Sequence, residues 1–320
     1  MVIFHFMFDQ MLLFCIPLLV VALAGLFSER SGVVNIALEG IMIFGAFIGI
    51  LLMYFLQTYE ILSGQALLLV CILAAAIAGG LFSLFHAVAS VSFGADQTIS
   101  GTALNLLAPA IGVFVAKLIF NGTDSISFKN EFIISRVPVL TDIPFIGELL
   151  FTNFYLTTFL GIFILIGTWF FFYKTKFGLR MRACGEFPQA ADAAGINVGK
   201  MRYLGVIISG VLAGVGGIIY VIPVTTSFDS QVAGYGFLAL AVLIFGNWKP
   251  WRIATASVFF AICKTISTTY VIVPVLLNSG ISPTYYKLLP YVATLILLAF
   301  TSKNSAAPKA CGEPYDKSKR

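Results

Sequence analysis

The sequence predicts an all-α polytopic membrane protein, and three observations predict it. Of 320 residues, 59% are hydrophobic and only 10% are charged, where a soluble domain carries about 25% charge. The mean hydropathy is +0.99. Apolar runs of about 20 residues, each long enough for a hydrocarbon core of about 30 Å, recur along the whole length. The short alternating segments of a transmembrane barrel are not seen. The net charge of +5 gathers in a central loop and in the tail. Orientation in a lipid bilayer accounts for it there, so it is not a nucleic-acid signal.

Taken in order, the apolar spans cover about 11–27, 36–56, 65–91, 98–120, 153–173, 203–223, 232–246, 253–277 and 285–300. That is nine in this count, within an expected 8–10 helices, some of them broken or re-entrant. Residues 1–8 lack Lys and Arg, and no small-residue cleavage site is clear, so the first span is expected to be retained. The polar breaks are 28–35, 57–64 and 93–97. The loop 121–150 carries Asp124, Glu131, Asp142 and Glu148 against Lys129 and Arg136, with Pro138 and Pro144 to stiffen it. Its low basic count places it outside, with enough apolar residues to lie against the membrane surface. The loop 174–202 carries Lys174, Lys176, Arg180, Arg182, Lys200 and Arg202 against Glu186 and Asp192. A basic loop beside span ends marks the cytoplasmic face. The turn 246–252 and the tail then fall inside and the amino terminus outside. The whole reads as one transmembrane domain, 1–302, followed by a basic cytoplasmic tail, 303–320.

Within the basic loop Pro188 suits a first helical turn, Gln189 to Ala194 favour helix, and Gly195 suits the left-handed stop. The pattern predicts a two-turn surface helix with Ala190, Ala191, Ala193 and Ala194 exposed for docking; an ordinary connecting loop is the other reading. The second and seventh spans are both Gly-marked, follow polar breaks, and read as interrupted or half-length helices. Corresponding broken helices in two halves of a transporter point to its pathway.

No enzyme constellation is present. His5 and His86 are too few for a metal site, and Cys15, Cys71, Cys184, Cys263 and Cys311 lack clustered spacing. The run Gly195 to Lys200 is one residue short of a phosphate-binding loop and lacks the following Ser or Thr. Any ATP must therefore bind another chain. The informative residues are polar ones in or beside the spans, since a charge at a helix centre costs about 3 kcal/mol on insertion scales. Asn35, Glu39, Gln97 and Asn105 are the pathway candidates, with Tyr235 and Phe237 able to stack on a flat ligand. Each has a structural alternative. Glu39 could pair with Arg30 or accept N–H bonds, Asp96 and Gln97 could start a helix, and Asn105 could bond between helices. Tyr220, Tyr235 and Phe237 could simply pack, and Lys117 could snorkel.

Four ordered blocks, residues 31–47, 94–108, 177–196 with 210–220, and 244–251, together resemble the permease subunits of ABC importers. The nearest branch is simple-sugar and nucleoside uptake, served by basic-membrane-protein lipoproteins. The likeness runs over roughly residues 20–315. It implies a type II-like permease in the bacterial cytoplasmic (inner) membrane. It implies a second, related permease as partner in a heterodimer, an ATP-binding subunit with two nucleotide-binding domains holding ATP and Mg, and a substrate-binding lipoprotein. This chain itself would hold no cofactor. On this match Glu186, Pro188, Gln189, Ala190, Ala191 and Gly195 form the ATPase-coupling helix, although Glu186 is followed by Phe187, Pro188 and Gln189 rather than by the family's Ala-Ala. Nucleosides are the expected cargo, then simple sugars. An ion-coupled secondary transporter is the rival; it calls for paired ionisable residues deep in the spans, whereas the acids here cluster near span ends.

Overall fold

The computed structural model describes residues 2–137, 141, 147, 151–273, 282–301 and 307–316. Helix α1 (Val2–Ser31) is apolar on all sides, and every residue from Phe14 to Glu29 is buried. A helix with no polar face belongs in the centre of a bundle, and α1 packs there. Against it pack α5 (Leu156–Lys174) and α8 (Val198–Val224); α2 (Leu38–Thr58) and α3 (Gly64–Ala87), with a terminal π turn (Val88–Ser92), pack on α8, and α4 (Gln97–Ile119) packs on α2. These six, α1 to α5 and α8, are long and apolar enough to cross a membrane.

Three further helices follow: α9 (Tyr235–Phe245), α10 (Pro250–Thr269) and α11 (Pro283–Thr301). The nine expected spans thus resolve, among the described residues, into six spanning helices, one short apolar helix, α9, and two that fall outside the same length-and-composition standard. In α10 the shortfall comes from Arg252, Lys264 and a dense set of Ser and Thr. The expected eighth span also ends early, at Thr269; its last residues, 274–277, lie outside the described residues.

Small residues let α2, α3 and α8 touch backbone to backbone. A Cβ on Gly45 would fall on the Cα of Gly214, and one on Gly79 on the carbonyl of Gly210. Close approach of this kind is how helices bind each other in lipid, where apolar burial alone gives no preference.

The two ends of the bundle differ. One, the basic end, carries α6 (Lys176–Glu186) and α7 (Pro188–Ala193). The other carries two antiparallel ribbons. Strand β1 (Ile126–Ser127) pairs with β4 (Ser227–Phe228), Ile126 opposite Phe228. Strand β2 (Ile133–Arg136) pairs with β3 (Thr152–Tyr155), Ile133 opposite Tyr155. Gln57 at the end of α2 grips this strand end, donating to the Lys129 carbonyl and accepting from the Lys129 N–H at 2.8 and 3.0 Å. Pro138, Pro144, Asp142 and Glu148 lie outside the described residues.

The chain breaks its helices twice inside the bundle. After α1 ends at the basic end, residues 32–37 run inward before α2 begins. After β4 at the strand end, the chain turns inward to Gly234, where α9 begins. The broken pair predicted from sequence is therefore present in position. Only α9, with 11 residues, is half-length; α2 runs uninterrupted for 21 residues, because all of its break lies before its first turn.

Candidate functional site

The two breaks bring two helix starts together. Glu39 lies in the first turn of α2, and its carboxylate oxygens accept from the backbone N–H groups of Gly234 (2.8 Å) and Gly236 (2.6 Å) at the start of α9. Each helix N-terminus carries about half a positive charge and unpaired N–H groups. One buried carboxylate therefore satisfies α9 and complements both ends. The approach is close, since a Cβ on Gly236 would fall on the Glu39 backbone nitrogen. The start of α2 is held from its other side by Asn105. Its Oδ1 accepts from the Gly40 N–H at 2.7 Å, and its Nδ2 donates to the Ile36 carbonyl at 2.9 Å. Asn35 Nδ2 donates to Ser209 Oγ of α8 (2.9 Å), and Gln97 Oε1 accepts from the Val34 N–H (2.7 Å). His86 bonds the Val34 carbonyl and Ser100.

Depth follows from helix rise. Asn105 is about two turns into α4 and Ser209 about three turns into α8, so the junction sits some 12–16 Å from the basic end, near the middle of a core of about 30 Å. The chain enters α9 under backbone strain. Ser230 and Ala233 have φ of 59° and 52°, and Gly234 of 77°; in that region only glycine is comfortable.

Beside this junction lies a cavity of about 460 Å³, within the usual range for small-molecule sites, about 300–1,000 Å³. Its walls include Ala233, Gly234, Tyr235 and Phe237 from the α9 entry, Lys264 from α10, and Tyr291 and Thr294 from α11.

At the basic end lie α6 and α7, where the sequence predicts the coupling helix. Helix α7 covers 188–193, and Gly195 at φ 80° follows as its left-handed stop. One expectation is corrected. Ala191 is 4% exposed and Pro188 is also buried, because the short helix turns that side onto the bundle. Gln189, Ala190, Ala193, Ala194 and Gly195 are exposed. Glu186 ends α6 and pairs with Arg30 at the end of α1, at 3.2 Å. So Arg30 pairs with Glu186 rather than with Glu39, and of the two roles open to Glu39 it takes the N–H acceptor one.

The tail closes this end. Arg202 is 1% exposed. It donates to the carbonyls of Glu313 (2.7 Å) and Ala310 (3.4 Å) and lies over the Tyr315 ring. Ala310 N–H donates to the Gly185 carbonyl, Gly312 N–H to the Gly32 carbonyl, and Lys309 N–H to Glu186. Burial pushes the Cys184 thiol up to about 11 and the Cys311 thiol upward as well.

The sequence-predicted residues therefore separate. Tyr235 and Phe237 line the cavity. Glu39 touches the helix start that forms its wall, and Asn35, Gln97 and Asn105 hold the α2 entry through the bonds above. Tyr235 also stacks on Tyr220, ring centroids 4.2 Å apart. Asp96 caps α4, accepting from Thr98 and Ile99. Lys264, Tyr291 and Thr294 also line the cavity and have no role in the sequence reading. A lysine inside an apolar run was the available signal for the first.

Comparison with known proteins gives a consistent result. A family model described as "Branched-chain amino acid transport system / permease component" matches residues 7–298. The chain is 44% identical to the guanosine ABC transporter permease protein NupQ of Bacillus subtilis (strain 168), and 42% identical to the nucleoside ABC transporter permease protein NupC of Lactococcus lactis subsp. cremoris (strain MG1363). Each match covers 97% of this chain and 96% of the relative. The nucleoside ABC transporter permease protein NupB of the same Lactococcus strain is 24% identical over 85% of this chain and 73% of its own length. No solved structure matches.

Proposed function

The chain belongs to the family of branched-chain amino acid transport system permease components, and from that membership we propose that it forms one half of the membrane channel of an ATP-driven nucleoside importer. The observation that carries the cargo is the nearly full-length likeness to permeases named for guanosine and nucleosides. The junction and cavity supply the pathway, and the segment 174–202 supplies the coupling.

The engine belongs to a separate subunit with two nucleotide-binding domains, which hold ATP and Mg. What supports this is the surface of α6 and α7. Phe177, Leu179 and Phe187 are 56%, 61% and 61% exposed at an end dense in charge, and an apolar patch in such a place suits a protein contact. Glu186, Pro188, Gln189, Ala190, Ala191 and Gly195 are the coupling set. Gln189, Ala190 and Gly195 would face the ATPase, while Glu186, Pro188 and Ala191 seat the helix on the bundle. The basic end faces the cytoplasm, with the carboxyl terminus, and the strand end faces outward with the amino terminus, in the inner membrane of a bacterium. A related permease completes the channel, and a lipoprotein delivers cargo at the strand end. Asn35, Glu39, Gln97, Asn105, Tyr235 and Phe237 form or support the pathway.

The test is uptake of radiolabelled guanosine, uridine, glucose and leucine in a strain deleted for this gene and in the complemented strain. Nucleoside uptake should fall on deletion and return on complementation. It should persist with a protonophore while cellular ATP is maintained. Loss of glucose or leucine uptake alone would overturn the cargo, and collapse with the protonophore would favour the ion-coupled rival.

A further inference from the structure

Among the described residues Lys264 is the one basic side chain on the cavity wall. It lies about four turns into α10, deep in the bundle. Among the described residues its ammonium has no hydrogen-bond or ion-pair partner. An ionisable group at such depth, facing a cavity, is by default part of a pathway. Beside it, Phe237 and Tyr291 are 51% and 62% exposed, and neither ring packs on another aromatic ring among the described residues. They are open to a flat ligand, as the stacked Tyr220 and Tyr235 are not.

We infer that this cavity is a nucleoside subsite in which Lys264 selects bases with an oxo group (guanine O6, uracil O4) at the position where adenine and cytosine carry an amino group, with Phe237 and Tyr291 contacting the base plane. This rests on the nucleoside reading above. The chemistry is one-sided, because an ammonium has three donors and no acceptor. Guanine offers O6 and N7 together, and uracil offers O4. Adenine and cytosine present amino donors at the corresponding positions. A donor at this position therefore bonds the oxo group and loses that bond in the amino bases, where adenine keeps only N7 on this edge.

The experiment uses the complete transporter in cells and compares Lys264→Met and Phe237→Leu with the unaltered protein, each normalised to its amount in the membrane. Uptake is measured for guanosine and uridine against adenosine and cytidine. The ratio between classes is compared across variants, so that any selectivity of the delivering protein cancels. Lys264→Met should lower the oxo-to-amino uptake ratio about tenfold, the effect of one charged hydrogen bond. Lys264→Arg, which keeps the donor, should hold the ratio near its original value. Phe237→Leu should weaken both classes alike. An unchanged ratio in Lys264→Met, whether uptake falls equally for both classes or not at all, overturns the subsite. If the unaltered transporter moves no nucleoside of either class, it is the nucleoside reading itself that fails.

Discussion

Replacing Arg202 with Met should release the tail from the basic end. The guanidinium makes one short charge-assisted bond, 2.7 Å to the Glu313 carbonyl, worth about 1.5–3 kcal/mol. The 3.4 Å bond to Ala310 and the Tyr315 contact each add about 0.5–1 kcal/mol. The backbone bonds from Ala310 and Gly312 remain, so the loss is about 3 kcal/mol of local docking, or roughly a hundredfold more open tail. Cys311 reports it. Purified protein in detergent is treated with N-ethylmaleimide at pH 7, and the labelling rate of the Cys311 peptide is followed by mass spectrometry, with the fully buried Cys71 of α3 as internal control. The sign separates the alternatives. Arg202 lowers the Cys311 pKa while burial raises it more. If the tail stayed docked, removing the cation would leave the thiol harder to ionise and labelling would slow. If the tail leaves, water reaches the thiol and labelling accelerates by up to a hundredfold. Slower or unchanged labelling refutes the reasoning.

Glu39→Ala should strip α9 of both N–H acceptors and lower stability by about 3 kcal/mol. Glu39→Gln, keeping one acceptor oxygen, should cost about half as much, and equal thermal midpoints for the two in detergent would contradict the cap. Asn105→Leu should reduce the amount of folded protein while leaving the KM for cargo unchanged, because its polar atoms serve Gly40 and Ile36; a raised KM at normal abundance would instead place it on the pathway. Gly45→Val should prevent accumulation in the membrane, since the added carbons fall on Gly214. Gly195→Ala, with open space around it, should cost only about 1 kcal/mol for its left-handed φ; immunoblots of membranes check both. Ala190→Trp should leave abundance intact and abolish ATP-dependent uptake, whereas Ala191→Trp should lower abundance itself.

Apolar run length and charge placement made the spanning helices legible, because both are local properties of the chain. Asp96 was readable as a cap for the same reason, its partners being Thr98 and Ile99. Ala191 was misplaced because a six-residue helix of small residues shows no periodic face, and only the bundle decides which side it covers. Asn105 and Glu39 were recognised as polar groups in costly positions, but their partners, Gly40 and Gly234, lie 65 and 195 residues away. Nothing along one chain announces such a pairing. The tail read as a basic cytoplasmic segment, and its docking on Arg202 depends on a buried cation whose carbonyl partners carry no sequence signature.

The same long-range contacts constrain how force can travel. A push on α7 cannot be absorbed locally, since Glu186 ties α6 to Arg30 at the end of α1, and Gly185 and Gly32 share the tail. Arg30 in turn donates to the Trp248 carbonyl, at 2.9 Å from Nη2, just past the end of α9. One displacement at the basic end therefore reaches both helices at once, α2 through 32–37 ahead of it and α9 through 246–249 behind it. Their inner ends meet at Glu39. If α2 and α9 move together, the carboxylate keeps its N–H partners and the cavity wall shifts as a unit. If they move apart, two charge-assisted bonds break in a low-dielectric interior, at a cost of several kcal/mol. The cheaper motion is one that keeps both helix starts together, with α4 held to them through Asn105, and rocks them against α11. On the proposed function, such rocking would open the cavity beside Gly234 to one side and then the other, and a ligand that binds one arrangement better would shift the balance between them.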